Sequence, residues 1–367
     1  MTRTLNDTVF IPRIAVIGCG AWGKNLARNF AELGALVAIC DTDSQKAKAS
    51  ALEYKVDAFT ADQVFSHSAV DAVVIASLAP FHAEQAEWAL KAGKHVYVEK
   101  PMALSVMDAK KLCFLAKTHN RILMVGHILQ YHPAFMALKE RLSELGSLKH
   151  IYANRLALGR FRYHESILWD LASHDISLIL ALAQSQPNKI DAIGQTFLTP
   201  EKPASALLNL TFPSGLTAHI HASWLSPFKE QKLIVTGENG IAVFDDRKPL
   251  AEKLIISKGC FEWKHGQPHA NDGFESHAVL LPEFEPLKHE CLHFLSCIQK
   301  GETPLTSGEE GLCVTEVLEA AEKSLQDKVQ LYSKDFKNSD RQPSGEPDER
   351  SSLRDRGRDP KVNAPET

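Results

Sequence analysis

The apolar run Ile14-Ala15-Val16-Ile17 breaks into Gly18-Cys19-Gly20-Ala21-Trp22-Gly23, and the residues after it carry a helical apolar pattern through Phe30. The same grammar then repeats. Strand-like runs at 36–40, 72–76, 95–98 and 122–125 alternate with helix-like segments at 83–92 and 107–118. Strands buried on both faces read as continuous apolar runs, and strands alternating with helices require right-handed crossovers. This pattern restricts the first third of the chain to a parallel sheet with helices on its faces, an α/β arrangement.

The grammar changes after His127. A helix over 133–145 leads to an alternating strand at 151–158, a basic loop, and a helix over 168–182. Strand patterns follow at 190–195, 206–212, 216–224, 232–236 and 241–244, separated by turns such as Pro213-Ser214-Gly215 and Gly237-Glu238-Asn239-Gly240. This predicts an α+β region with a largely antiparallel sheet, closed by helices over 287–300 and 308–328. The chain thus divides into a first domain at 11–127, a second at 128–335, and a tail at 336–367. A length of 367 residues suffices for two cores. The tail has Leu353 and Val362 as its large aliphatics, too few to offset ordering entropy, so disorder is expected there.

Gly18-x-Gly20-x-x-Gly23 lies between a strand and a helix, where a dinucleotide site requires it. Gly18 permits the tight turn, Gly20 lets backbone approach a pyrophosphate, and Gly23 lets the helix pack closely. The helix N-terminus adds unpaired amides and partial positive charge. Asp41 follows at the end of the second strand, where a carboxylate accepts hydrogen bonds from ribose hydroxyls. It repels a 2′-phosphate, and Thr42 and Asp43 bring no compensating arginine, so the expected cofactor is NAD.

Glu99-Lys100-Pro101 closes the strand at 95–98. Proline disfavours helical angles at Lys100 and holds it extended at a carboxyl strand end, facing the crevice where open α/β sheets bind ligands. There an ammonium stabilises a developing alkoxide or, with a lowered pKa, takes its proton. Asp170 and His174 stand four apart on the predicted helix and share a face, at the edge of its apolar stripe (Leu168, Leu171, Leu178, Leu182). A histidine there exchanges protons near neutral pH, with the carboxylate orienting it. Asp175 falls within the stripe and reads as a buried structural acid.

Arg155, Arg160 and Arg162 precede that helix and suit a phosphorylated substrate, since guanidinium forks match phosphate oxygens. A solvated basic loop is the alternative. His219 and His221 alternate on one strand and face the same way, but further ligands for a metal cannot be identified, so none is expected. The seven cysteines form no closely spaced pairs, and Cys291 and Cys297 on one predicted helix suit neither zinc nor a disulfide framework. A net charge of −4 gives no field for nucleic acid or an anionic membrane. No signal peptide is evident, and no apolar run approaches the roughly 20 residues that span a bilayer. A cytoplasmic enzyme is the expectation.

With the glycine turn, Gly93-Lys94-His95-Val96 running into Glu99-Lys100-Pro101, and the Asp-x-x-x-His spacing in order, the chain resembles the Gfo/Idh/MocA oxidoreductase family over roughly residues 13–333. The resemblance implies a Rossmann domain, an open-faced sheet domain, dimers or tetramers formed through that sheet, and hydride transfer at a sugar carbon. Lys100, Asp170 and His174 then form the catalytic cluster. Gly18, Gly20, Ala21, Trp22, Gly23, Asp41, Ser77, His82, Glu99 and Lys100 become the candidate NAD contacts. The segment Ser166–Asp175 and the stretch from Glu285-Pro286-Leu287 to Gly311 look like the branch that oxidises C3 of UDP-N-acetylglucosamine to a 3-keto sugar. Two departures bear on substrate contacts. Gln130 and Tyr131 stand where many members carry an arginine, and Gln231 where a basic residue is common. Tyr131 joins the three arginines as a candidate substrate contact. A dehydrogenase or reductase of a free sugar or cyclitol, an NAD-using glycosidase and a non-catalytic NAD-binding regulator remain the alternatives.

Overall fold

The computed structural model describes residues 10–159, 165–197, 202–259, 261–264, 266–270 and 275–326, all within a unit spanning residues 1–331. The expected tail at 336–367, with Arg160 and Arg162, lies outside the described residues.

Eleven elements build the first sheet and its cover: β1 (Ile14–Ile17), α1 (Ala21–Glu32), β2 (Leu36–Cys40), α2 (Ser44–Tyr54), β3 (Asp57–Ala58), α3 (Ala61–Ser66), β4 (Ala72–Ile75), α4 (His82–Lys91), β5 (His95–Glu99), α5 (Val106–Thr118) and β6 (Leu123–Gly126). The strand order is β3-β2-β1-β4-β5-β6, with every neighbouring pair parallel. β1, β4 and β6 are buried along their whole length, as strands covered on both faces must be. The order reverses between β1 and β4, which opens a crevice at their carboxyl ends. Helices α2 and α3 lack a strong apolar stripe and are set by local caps instead: Asp43 accepts from the amides of Gln45 and Lys46, and Thr60 with Gln63 forms a capping box.

The chain then runs through α6 (Pro133–Glu140), α7 (Leu142–Leu145) and β7 (Leu148–Leu158) to a π-helical turn (Leu168–Ala172) and α8 (Ser173–Ala183). Strands β8 (Lys189–Thr196), β9 (Pro203–Thr211), β10 (Thr217–Ser223), β11 (Leu225–Gly237), β12 (Gly240–Asp245) and β13 (Leu254–Lys258) follow. A small hairpin of β14 (Phe261–Lys264) and β15 (Gln267–Ala270) precedes β16 (Glu275–Ala278). The second sheet has eight strands in the order β16-β13-β12-β11-β7-β10-β9-β8. All pairs are antiparallel except the parallel contact of β7 with β10. One face packs under α8 on a core that includes Ile151, Ala153, Leu208, Ile220 and Leu233. The other presents Ile193, Leu207 and His219 outward, and His150 packs edge-on against His219 with ring centroids 4.6 Å apart.

The last helices depart from the expectation that both close the second sheet. Helix α9 (Pro286–Lys300) puts Leu287, Cys291, Phe294 and Leu295 into the core of the first sheet, where Phe294 meets Phe30 and Tyr97 edge-on. The helical spacing of that apolar face is complementary to the surface of β1, β4 and α1. Helix α10 (Gly308–Gln326) joins the two regions. Val314, Val317, Leu318, Ala321 and Leu325 sit in the second core, while Leu312 packs on the first.

Candidate active site

The crevice at the β1/β4 switch is shaped mainly by backbone. Gly18 has φ +99°, and a Cβ there would lie 2.6 Å from the Ala76 carbonyl oxygen. A Cβ on Gly23 would lie 1.9 Å from the Gly18 carbonyl oxygen, so this third glycine lets α1 close onto the turn. Gly20 is the N-cap of α1 and supplies no side-chain cap, which leaves the first amides of the helix to a ligand. Asp41 locks the turn from the other side. Its Oδ2 accepts from the Cys19 amide at 2.6 Å and its Oδ1 from the Asp43 amide at 2.9 Å. A cavity of about 580 Å³ is bounded by Gly18, Gly20, Asp41, Thr42, Ser77 and Phe81. Lys24 and Lys46 also border it, a feature that no motif in the sequence marks.

A second cavity of about 560 Å³ shares Gly20, Ala76, Ser77 and Leu78 with the first, so one cleft runs through both. Ala21, Trp22, His82, Glu99 and Lys100 line this part, with Arg155, Asp170 and His174. Every expected cofactor contact therefore borders the cleft except Gly23, whose place is beneath the turn. Glu99 is buried and held by three donors: Trp22 Nε1 at 2.5 Å and the Tyr97 hydroxyl at 3.2 Å on Oε1, and the Lys100 amide at 3.3 Å on Oε2. Burial raises its pKa, opposed first by the Trp22 hydrogen bond. His82 bridges the two sides of the cleft wall, with Nδ1 2.8 Å from the Pro101 carbonyl and Nε2 3.1 Å from that of Ser77. Burial lowers its pKa, so one ring nitrogen donates at a time.

Lys100 reaches across to the π-helical turn. Its Nζ donates to the Asp170 carbonyl oxygen at 2.7 Å and lies 3.7 Å from Oδ1 of the same residue. Trp224 Nε1 donates to Asp170 Oδ2 at 3.0 Å. The expected orientation of His174 by Asp170 is replaced by this arrangement. Residues 168–172 form a π turn, and Asp170 engages Lys100 and Trp224. His174 Nδ1 is buried with no hydrogen-bond partner among the described residues. Burial, and then the positive charges of Lys100 and Arg155, push the His174 pKa well below its usual value, so the imidazole is neutral at pH 7.

Of the expected substrate contacts, Arg155 borders the cleft while paired to a buried acid, and Tyr131 does not line it. Arg155 is buried, and its Nε and Nη2 both bind Asp175 at 2.8 Å, a bidentate pair that explains the buried acid and commits the guanidinium fork. Tyr131 is buried away from the cleft, its hydroxyl 2.9 Å from Thr306 Oγ1. Neighbouring Gln130 donates to Ser177 Oγ and to Glu310, both at 2.9 Å, tying the turn before α6 to α8 and α10. Packing requirements thus account for both residues at the segment that departs from the family pattern. The cleft also contains groups that the sequence did not single out, Glu165 and Asp246, beside Gln231.

Comparison with known proteins identifies both regions of the chain. Residues 12–127 match the family model described as an oxidoreductase family with NAD-binding Rossmann fold, and residues 144–243 match the GFO/IDH/MocA C-terminal domain. The chain is 32% identical over 213 residues to a UDP-N-acetylglucosamine 3-dehydrogenase of Acidithiobacillus ferrooxidans, covering 58% of this chain and 66% of that protein. It is 25% identical over 337 residues to an NAD(+)-dependent scyllo-inositol 2-dehydrogenase of Bacillus subtilis, covering 85% and 93%. The solved structure of the Acidithiobacillus enzyme superposes with a TM-score of 0.77 at 27% identity, covering 87% of this chain and 98% of that one. Among the described residues no helix is long and apolar enough to cross a membrane. The chain belongs to the Gfo/Idh/MocA family of NAD-binding oxidoreductases.

Proposed function

We propose that this protein oxidises a secondary hydroxyl of a sugar or cyclitol, with C3 of UDP-N-acetylglucosamine as the substrate position. The observation that carries this reading is the convergence of Lys100, Asp170 and His174 on the end of a cleft that continues into the glycine turn. NAD bound there supplies the hydride acceptor. His174 accepts the hydroxyl proton, for which its neutral form is already the competent one. Lys100 donates a hydrogen bond to the same oxygen and stabilises its developing charge. Asp170 anchors Lys100 through its carbonyl oxygen and carboxylate, so its role is to position the ammonium. His174 and Lys100 thus meet the same substrate oxygen, one as acceptor of its proton and the other as a hydrogen-bond donor.

The UDP-sugar assignment is supported by the similarity to the Acidithiobacillus enzyme. Since Arg155 is committed to Asp175, this reading leaves a diphosphate to Arg160 and Arg162. A free cyclitol is the second reading. It is favoured by the carboxylates of Glu165, Asp170 and Asp246 on the cleft and by the similarity to inositol dehydrogenases.

The test is NADH formation with UDP-N-acetylglucosamine, scyllo-inositol, myo-inositol and free hexoses. Lys100→Ala and His174→Ala are each expected to lower kcat by about 100-fold or more, in the range of lost general-base and oxyanion-stabilising groups. Wild-type rates in both variants would sink the mechanism.

A further inference from the structure

The cleft that Lys100 and His174 border is also bounded by the end of the β11–β12 hairpin. The antiparallel register that pairs Lys232 with Asp245 places Gln231 beside Asp246, and the Asp246 amide donates to the Gln231 carbonyl at 2.9 Å. Both residues border the cavity. The hairpin therefore presents an amide and a carboxylate to the same cavity that Lys100, Asp170 and His174 border.

Asp246 is held firmly and in one charge state. Lys253 Nζ donates to its Oδ1 at 2.6 Å and to its carbonyl oxygen at 2.5 Å. His132 approaches Oδ1 from the other side at 3.4 Å. The Ala134 amide donates to His132 Nδ1 at 3.1 Å, which leaves Nε2 as the ring nitrogen that faces Asp246. Burial opposes ionisation, but His132 and Lys253 outweigh it and hold the carboxyl down at about 2. Oδ2 accepts no hydrogen bond from any described residue, and the side chain retains 27% exposure.

We propose that Asp246 is a specificity-determining residue, whose Oδ2 accepts a hydrogen bond from a second hydroxyl of the substrate while Gln231 contacts the same polyol edge. The proposal rests on the sugar or cyclitol reading of the reaction and goes beyond it. It predicts selection for a polyol over an otherwise equal alcohol that lacks one hydroxyl. A fixed anion is a strong acceptor for a hydroxyl and leaves an unpaired charge when that hydroxyl is missing, so discrimination arises by exclusion as well as attraction. Because Lys253 and His132 occupy only Oδ1, the hold on the carboxylate and the contact with substrate do not compete.

The experiment uses the full chain with NAD and whichever of scyllo-inositol and UDP-N-acetylglucosamine the wild type oxidises, together with the monodeoxy analogues of that compound. One deoxy position is expected to lower wild-type kcat/KM by about 10- to 100-fold, the range of a hydrogen bond to a charged group. Asp246→Asn is expected to raise the KM of the parent polyol by a similar factor, with a smaller change in kcat and an unchanged KM for NAD. On the critical deoxy analogue the variant loses nothing further. A folded Asp246→Asn enzyme with the wild-type KM overturns the proposal. So does a variant whose loss is equal on the parent and on every deoxy analogue. Should the variant fail to fold, the wild-type series still decides, since deoxy analogues all within threefold of the parent overturn the subsite. A wild type that oxidises no sugar or cyclitol at all overturns the reaction itself, a distinct result that removes the subsite with it.

Discussion

The two ends of the cleft are built by different means. The glycine turn at the cofactor end comes from one continuous stretch, residues 14–41, closed by the backbone at Ala76, and its shape is set by absent side chains, backbone amides and the Asp41 carboxylate. The substrate end is assembled from side chains on β5, the π-helical turn, α8 and the β11–β12 hairpin, which meet because the two sheets share one body. At Gly18 and Gly23 this backbone-built turn has no room for an added atom. A side-chain-built site tolerates exchange of its parts, provided that the buried charges stay matched. Such a division lets one cofactor module serve many substrates.

The sharpest way to break this comparison is to add one methyl group at the cofactor end. Gly23→Ala places a Cβ 1.9 Å from a backbone carbonyl, which no rotamer change relieves. We expect loss of measurable NAD binding and destabilisation of about 4 kcal/mol or more, in the tail reserved for such backbone conflicts. Fluorescence titration with NADH and urea unfolding check both. An alanine variant with wild-type NAD affinity would show that α1 does not need its close approach. At the substrate end the corresponding experiment is Arg155→Met, which leaves Asp175 as a buried carboxylate without its partner. Removing one member of a buried pair costs about 3–4 kcal/mol. The double variant Arg155→Met with Asp175→Leu is expected to recover most of that in the same urea titration. Recovery would confirm that charge matching, and not the guanidinium itself, is what this end requires.

The same division explains what could be read from the sequence. The glycine turn, Asp41 and the parallel strand alternation are local patterns, each carried by neighbouring residues whose spacing fixes their geometry. Lys100 was legible because it stands at the end of such a strand. Asp170 and His174 were legible as a pair, but their mutual relation was not. A π turn at 168–172 and the reach of Lys100 from another sheet redirected Asp170 away from the imidazole. Arg155 read as a rim cation because its partner, Asp175, is twenty positions away and spacing alone does not reveal a bidentate pair. Asp246 carried no signal at all. Its place depends on β11 and β12 pairing in one register and on Lys253 and His132 arriving from elsewhere. Helix α9 was recognised as a helix, yet its partner sheet depends on shape complementarity that periodicity does not encode.

A smaller effect, in pH dependence, sharpens the contrast once more. The His174 pKa in the folded protein lies well below 6.5 because of burial and then the cations Lys100 and Arg155. The unfolded chain therefore binds a proton near pH 6.5 that the folded protein refuses. As pH falls below 6.5, the unfolded state carries more protons, so stability declines with falling pH until the native pKa is reached. Within that window this residue contributes a slope of up to about 1.4 kcal/mol per pH unit. His174→Asn removes the titration, and the variant is expected to lose less stability than the wild type between pH 6.5 and 5 in parallel urea titrations. Activity should follow the same logic. With the imidazole already neutral, kcat/KM has no acid limb at the ordinary histidine value, and its decline begins only well below pH 6.5. A limb at 6.5 that disappears in the Asn variant would mean that water or substrate screens the imidazole from Lys100. The substrate end would then be more open than its packing indicates, and its charge matching less strict than that of Arg155 with Asp175.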